Sequence, residues 1–300
     1  MSVKTLREVL ADADTRHVAV GHFNISELGA LKGIFAAARE LQLPLLIGVS
    51  EGEREFIGVR TVAAIIKSMR EEYGYPIFLN ADHTHSLEKA IEAAKAGFDE
   101  IIFDNSSLSL EEDIRNTKEA VAAIRAIDPS IVIEGEIGYI GMNSEVMEVA
   151  PENIARSTPE DAARFVAETG VDVLAPAVGN MHGLLKTMVA GTAHKELDIA
   201  RIGKIKEAIA ALPANAQGGG RWMTLHGGSG TEDREFTEAA RAGMTIIHVS
   251  SELRLAWRRG VEQGLKERPD EIAPYKILPP AIEGIQAIVA DRLKRFNGLE

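Results

Sequence analysis

Short, nearly continuous apolar runs recur along this chain, and each is followed by a stretch whose apolar residues return every three or four positions. The first run, 18–24, ends in His22-Phe23-Asn24; Leu28, Leu31, Ile34, Phe35, Ala38 and Leu41 then share one face of a helix begun at Ser26. A second run, 44–49, ends in Ser50-Glu51-Gly52, with a helix expected over 61–72. The third follows Pro76 and ends abruptly in Asp82-His83-Thr84-His85; Ser86 then stands as N-cap for a helix carrying Leu87, Ala90, Ile91 and Ala94 on one side. Gly97 is placed to cap its far end. The fourth run, 100–104, leads into Asn105-Ser106-Ser107 and a helix with Ile114, Val121 and Ile124. The fifth, 130–138, carries Glu134 and Glu136 and opens into a long polar loop over 139–158, after which Pro159 suits the first turn of a helix. The sixth, 171–179, ends in Asn180-Met181-His182-Gly183, with a helix over 198–212 and a Gln-Gly-Gly-Gly loop at 217–220. The seventh, 221–225, ends in His226-Gly227-Gly228-Ser229-Gly230 before a helix over 232–242. The eighth, 244–249, ends in Ser250-Ser251, and helices over 252–267 and 281–296 close the chain.

Strands that are apolar throughout belong to a parallel sheet buried on both faces. Strict alternation with helices predicts an α/β fold, and eight units in 300 residues predict a (β/α)8 TIM barrel with an additional C-terminal helix, one domain over 1–300. A doubly wound open sheet is the other candidate, but no Gly-rich dinucleotide loop follows the first strand. Ala93-Ala94-Lys95-Ala96-Gly97 before the fourth strand echoes Ala239-Ala240-Arg241-Ala242-Gly243 before the eighth. The echo suits a barrel with weak half-barrel symmetry.

Composition narrows the function. The net charge of −12 argues against nucleic acid or an anionic membrane as partner, while leaving room for a local anion pocket. Cysteine is absent, so thiolate chemistry and cysteine metal sites are excluded, and a metal must use His, Asp or Glu. The opening residues lack the apolar core of a signal peptide, and no run approaches membrane-spanning length; a cytoplasmic location is expected.

In such a barrel the catalytic groups lie at the C-terminal ends of the strands. Those ends hold Asp82 and His83 (third), His182 (sixth) and His226 (seventh). Imidazoles from three strand ends can hold Zn²⁺ and leave a position open for substrate. The glycine turns after His182 and His226, with the serines after the eighth strand, lie where barrels bind phosphate.

At this point the chain resembles the class II, zinc-dependent fructose-bisphosphate aldolases and related ketose-bisphosphate aldolases. The resemblance runs from Gly21-His22-Phe23-Asn24 almost to the last helix, and its most specific pieces are Asp82-His83, Glu134-Gly135-Glu136-Ile137-Gly138, Gly179-Asn180-Met181-His182-Gly183 and Leu225-His226-Gly227-Gly228-Ser229-Gly230. It implies reversible cleavage of a phosphorylated ketose, such as fructose 1,6-bisphosphate, to dihydroxyacetone phosphate and an aldehyde. It implies His83, His182 and His226 as zinc ligands, with Glu136 and Asp104 near an alternative, more buried metal position. Asp82 matches the aspartate that moves the hydroxyl proton, and Glu145 the loop glutamate that exchanges a proton at the enediolate carbon. Gly183, Gly227, Ser229 and Ser251 match phosphate contacts, Lys186 matches a family lysine, and Asn24, Ser50, His248 and Ser250 complete the expected substrate-binding set. A monovalent cation near the site and a homo-oligomer, dimer or tetramer, are also implied.

Three positions depart from the family. His248 stands where an asparagine usually contacts the bound ketone. Ala273-Pro274-Tyr275-Lys276 stands where many members place an arginine that reaches the far phosphate in a neighbouring subunit. Asn105-Ser106-Ser107 replaces a Gly-Ser turn. Two other readings stay open: a non-catalytic barrel that assists a catalytic partner subunit, and a metal-dependent hydrolase using the same ligands.

Overall fold

The computed structural model describes residues 4–141, 145–150, 156–213 and 221–299. The Gln-Gly-Gly-Gly loop expected at 217–220 lies outside the described residues, as does part of the long loop after the fifth strand.

The elements follow in chain order as α1 (Leu6–Arg16), β1 (Val20–Asn24), α2 (Leu28–Leu41), β2 (Leu45–Val49), α3 (Glu51–Ile57), α4 (Val59–Tyr73), β3 (Ile77–Thr84), α5 (Leu87–Ala96), β4 (Glu100–Phe103), α6 (Leu110–Ile127), β5 (Val132–Ile137) and β6 (Val146–Met147). They continue as α7 (Pro159–Thr169), β7 (Val173–Pro176), β8 (Leu184–Leu185), α8 (Lys186–Val189), α9 (Ile199–Ala210), β9 (Trp222–Leu225), α10 (Asp233–Ala242), β10 (Met244–Val249), α11 (Ser251–Glu267), α12 (Pro274–Ile277) and α13 (Pro279–Phe296). Strands β1, β2, β3, β4, β5, β7, β9 and β10 close into a barrel. All its pairings are parallel, and β1 joins β10 through Val20–Ile246 to Phe23–Val249. The eight expected strands are these eight.

The pattern of burial explains the closure. Residues such as Ile47, Ile101, Ile133 and Ile247 face outward and are fully covered by the helix ring, where Ile34, Ile124, Phe165 and Phe236 are equally buried. The caps fall as the turn chemistry requires. Ser86 Oγ accepts from the backbone N–H of Lys89, and Gly97 ends α5 in the left-handed region at φ 88°. Gly243 ends α10 in the same way at φ 119°, with N–H groups returned to equivalent alanine carbonyls, so the echoed segments share one cap geometry half a barrel apart. Helix α2 begins one residue later than expected, because Glu27 serves as N-cap, accepting from the N–H groups of Gly29 and Ala30.

Two features lie beyond the sequence expectation. Helix α1 closes the N-terminal end of the barrel, packing Leu6, Val9, Leu10 and Ala13 against Val20, Phe78, Val132, Val173, Trp222 and Ile246. A short parallel ribbon pairs β6 with β8 at the opposite end. The last helix, α13, packs against α2 and α11 on the outside of the barrel seam. Among the described residues no helix is long and apolar enough to cross a membrane.

Candidate active site

Asp82 and His83 occupy a defect in β3. Pairing with β4 runs Ala81–Ile101 and then Thr84–Phe103, so β3 carries an extra residue there. His83 takes up the irregularity with φ 38°, in the left-handed region that a β-carbon disfavours. A regular strand would point neighbours to opposite faces; the bulge lets both side chains reach the mouth. Arg54, itself buried, ties the bulge down: its guanidinium donates to the carbonyls of Val49 (2.7 Å) and Asp82 (3.1 Å) and to Thr84 Oγ1 (3.1 Å).

Three imidazoles converge there. The ligand atoms of His83, His182 and His226 all lie within 4.8 Å of one another. Each ring is oriented by a hydrogen bond from its other nitrogen. His83 Nδ1–H donates to Asp104 Oδ2 (2.8 Å), His182 Nδ1–H to the Gly141 carbonyl (2.5 Å) and His226 Nε2–H to Glu134 Oε1 (2.6 Å). Each therefore turns its remaining nitrogen inward, as outer-shell bonds to metal-binding histidines do. His83, Asp104 and Glu136 form a second, overlapping group within the same span. Glu134 and Glu136, two residues apart on β5, both point into the barrel as its pleat requires.

Several buried atoms of this cluster have no hydrogen-bond partner, among them Asp82 Oδ1, Glu136 Oε2, His226 Nδ1 and His248 Nε2. His226 Nδ1 and Glu136 Oε2 approach to 3.0 Å without the alignment of a hydrogen bond. Buried donors and acceptors left unpaired are costly. A divalent cation held here would satisfy His226 Nδ1 and the Glu136 carboxylate, so the donor set fits such an ion.

The electrostatics follow from burial and proximity. Burial raises Asp82, but His83, His22 and His226 outweigh it and hold the carboxyl well below its usual range. Burial pulls His83 down, but Asp82 and the hydrogen bond it donates to Asp104 hold it up at about 9. His182, buried and facing the charges of His83 and His226, falls to about 3. Burial also pushes Glu100 well above the usual carboxylate range, reinforced by the nearby Glu134. Asn24 orients Asp82: its amide donates to Asp82 Oδ2 (2.7 Å) and to Glu53 Oε2 (3.0 Å).

His248 lines the mouth and stacks face to face on His22, with ring centroids 3.5 Å apart. Burial, with His22 and His226 beside it, pushes it well below its ordinary value, so it is a neutral imidazole. The Asn105-Ser106-Ser107 turn shapes Asp104, whose Oδ1 accepts from the Ser106 N–H (3.0 Å) and hydroxyl (2.8 Å).

A pocket of about 360 Å³ opens over this cluster. Asn24, Ser50, Asp82, His83, Asp104, Glu145, His182, Gly183, Gly227, Ser229, His248, Ser250 and Ser251 all lie on its wall. Gly227 sits at φ 60°, and a β-carbon there would stand 2.3 Å from the Met181 carbonyl oxygen, so only glycine lets the two turns meet. The N-terminus of α11, at Ser251, faces the same wall and favours an anion. Glu136 lies beneath the wall, its Oε2 3.0 Å from His226 Nδ1 and 3.7 Å from His83 Nδ1. Lys186 stands apart from the pocket, exposed and ion-paired with Glu148. Two residues singled out by no sequence signal belong to the site, Arg54 under the bulge and the buried Lys195 behind the glycine turns, while Arg254, one of the basic residues that could replace the missing far-phosphate arginine, lies on the wall.

The chain is similar to known proteins over nearly its whole length. The family model "Fructose-bisphosphate aldolase class-II" matches residues 4–299. The fructose-bisphosphate aldolase of Geobacillus stearothermophilus is 31% identical over 300 residues, covering 99% of this chain and 98% of that protein. That of Staphylococcus aureus is 29% identical over the same length, with the same coverage. The crystal structure of the YdjI aldolase from Escherichia coli K12 superimposes with a TM-score of 0.78 at 26% identity, covering 97% of this chain and 96% of that one. Fold, pocket and full-length similarity agree, and the chain belongs to the class-II fructose-bisphosphate aldolase family, whose members are carbon–carbon lyases.

Proposed function

We propose that this aldolase is zinc-dependent and cleaves a phosphorylated ketose, such as fructose 1,6-bisphosphate, to dihydroxyacetone phosphate and an aldehyde, and runs the reverse condensation. The observation that carries the reading is the β3 bulge, which sets an ionised Asp82 beside a three-imidazole cluster at the mouth of an anion-compatible pocket. His83, His182 and His226 would hold the ion, with Asp104 and Glu136 able to offer an alternative position through His83. Bound there, Zn²⁺ supplies Lewis-acid charge for the negative oxygens of the ketone fragment.

The remaining work falls to the chain. Asp82, kept ionised and oriented by Asn24, takes the proton from the C4 hydroxyl. The C3–C4 bond then breaks, C4 leaves as the aldehyde, and the electron pair stays with the ketone fragment. Glu145, on the pocket wall, returns a proton to C3. Gly183, Gly227, Ser229 and Ser251 with the α11 N-terminus receive the phosphate at C1, and Ser50, His248 and Ser250 line the rest of the substrate channel. A lysine Schiff base would be the alternative electron sink, but among the described residues no lysine lies on this wall.

The test is a retro-aldol screen across ketose phosphates with and without Zn²⁺, alongside metal analysis. About one Zn²⁺ per chain is expected, removed by chelator with loss of cleavage. His83→Ala, His182→Ala and His226→Ala are each expected to lose the metal. Full occupancy in all three, or unchanged cleavage after chelation, would refute the assignment. A metal-loaded protein that cleaves no ketose phosphate would point to the assisting-subunit role.

A further inference from the structure

Lys195 is the one lysine whose side chain is almost wholly enclosed, among the described residues. It lies on no regular strand or helix, but its backbone bridges to Thr231, and its N–H donates to the Gly230 carbonyl (2.9 Å). Its Nζ donates to three backbone carbonyls: Met181 (2.7 Å), Gly183 (2.8 Å) and Gly227 (2.9 Å). These carbonyls come from the residues on either side of His182 and from the glycine turn that follows His226. Three converging carbonyls form a cage for a cation, because each presents partial negative charge and none can donate. The three N–H groups of the ammonium match the three acceptors one to one. Burial pulls Lys195 down to about 7, and nearby Glu252 and the three acceptors favour the charged form.

We propose that the Lys195 ammonium is a tethered cation that locks the His182–Gly183 and Gly227–Gly230 turns together and so builds the phosphate pocket without a free monovalent cation. The proposal rests on the phosphate-binding reading of that pocket. In place of the diffusible monovalent ion expected from the family, the chain supplies the charge from its own side chain. The geometry accounts for the close meeting of the turns. Gly227 lies against the Met181 carbonyl, and both carbonyls point at the same ammonium. Lys195 is not itself on the pocket wall; it acts through the carbonyls of Gly183 and Gly227, which are, so it is a positioning residue.

The experiment measures inorganic phosphate binding and thermal melting of the Zn²⁺-loaded protein in KCl, NaCl, NH₄Cl and choline chloride at equal ionic strength. The parent protein is expected to bind phosphate within about twofold in all four salts, because its cage is already filled. Lys195→Ala opens the cage. Its phosphate affinity in choline chloride is expected to fall about tenfold or more, and K⁺ or NH₄⁺ to restore both affinity and melting temperature. Lys195→Met fills the cage with apolar atoms, and no cation is expected to rescue it. A parent protein that needs K⁺ or Na⁺ would overturn the proposal, as would a Lys195→Ala variant indifferent to the cation. That first comparison needs no variant, so it decides even if Lys195→Ala fails to fold. If the parent bound no phosphate in any salt, the pocket reading would fall, and the cation-specific melting of Lys195→Ala would still decide the cage.

Discussion

Asp82 is a carboxylate that stays charged although it is buried. Desolvation alone would favour its neutral form, and the neighbouring imidazoles reverse that preference. Its two oxygens have different surroundings: Oδ2 is fixed by Asn24, while Oδ1 has no hydrogen-bond partner and stands 3.7 Å from His83 Nε2 and 3.8 Å from His248 Nδ1. Oδ1 is thus the oxygen available to a substrate hydroxyl. Because Asp82 is not one of the three clustered imidazoles, removing it separates proton transfer from metal binding. Asp82→Ala is expected to retain Zn²⁺ and slow cleavage by on the order of a hundredfold or more. Metal analysis with steady-state kinetics checks this; parent-like turnover would remove Asp82 from the mechanism. The residue types at strand ends were legible in the sequence, since histidines and a carboxylate closing apolar runs stand out. Their common orientation was not. It depends on the bulge and on the positive φ of His83, and an L-residue carries no sequence mark of either.

At the scale of elements, the β6–β8 ribbon links the loop after β5 to the turn after β7. Its pairing begins where the Leu184 N–H donates to the Glu145 carbonyl (2.9 Å), which sets the Glu145 side chain on the pocket wall. The tie is made by backbone, so the side chain can be removed without breaking it. Lys186–Glu148 alongside is an exposed pair and contributes little, in the range of 0–1 kcal/mol for such pairs. Glu145→Ala is therefore expected to leave melting temperature and phosphate binding near parent values. It should slow exchange of the C3 proton of dihydroxyacetone phosphate with solvent at least about tenfold. Proton NMR in D₂O measures that exchange, and an unchanged rate would exclude Glu145 as the group that serves C3. The barrel strands were readable because eight buried runs leave a strong pattern. The ribbon was not, since Val146–Met147 and Leu184–Leu185 are two residues each and carry no periodicity. Lys195 was hidden for the same reason, in the polar stretch Gly191-Thr192-Ala193-His194-Lys195-Glu196.

Over the whole molecule, the charge that disfavours polyanionic partners also shapes substrate choice. The pocket wall carries Glu51, Asp82, Asp104 and Glu145, and among the described residues Arg254 is its one permanently charged cation. In the proposed reading one phosphate takes the glycine turns and the α11 N-terminus, on the β9–β10 side. Arg254 reaches from α11 across to Glu53 of α3, its Nη2 2.7 Å from Glu53 Oε1, and remains 45% exposed. It thus stands on the β2 side of the mouth, with N–H groups left to meet a second anion. Tyr275 and Lys276 lie off this wall, and Lys276 pairs with Glu271. Within one chain, then, a far phosphate meets one guanidinium already shared with a carboxylate. A shared cation discriminates less than a dedicated bidentate clamp. Fructose 1,6-bisphosphate is expected to be preferred over the matching ketose 1-phosphate by less than about a thousandfold, or ~4 kcal/mol of differential transition-state binding. Arg254→Ala is expected to lower kcat/KM for the bisphosphate by about tenfold and to leave the 1-phosphate within about threefold. Parallel kinetics on the two substrates decide between outcomes. An equal loss on both would place Arg254 outside far-phosphate recognition, and a parent preference well above a thousandfold would require a second cation at the mouth, supplied by a neighbouring subunit.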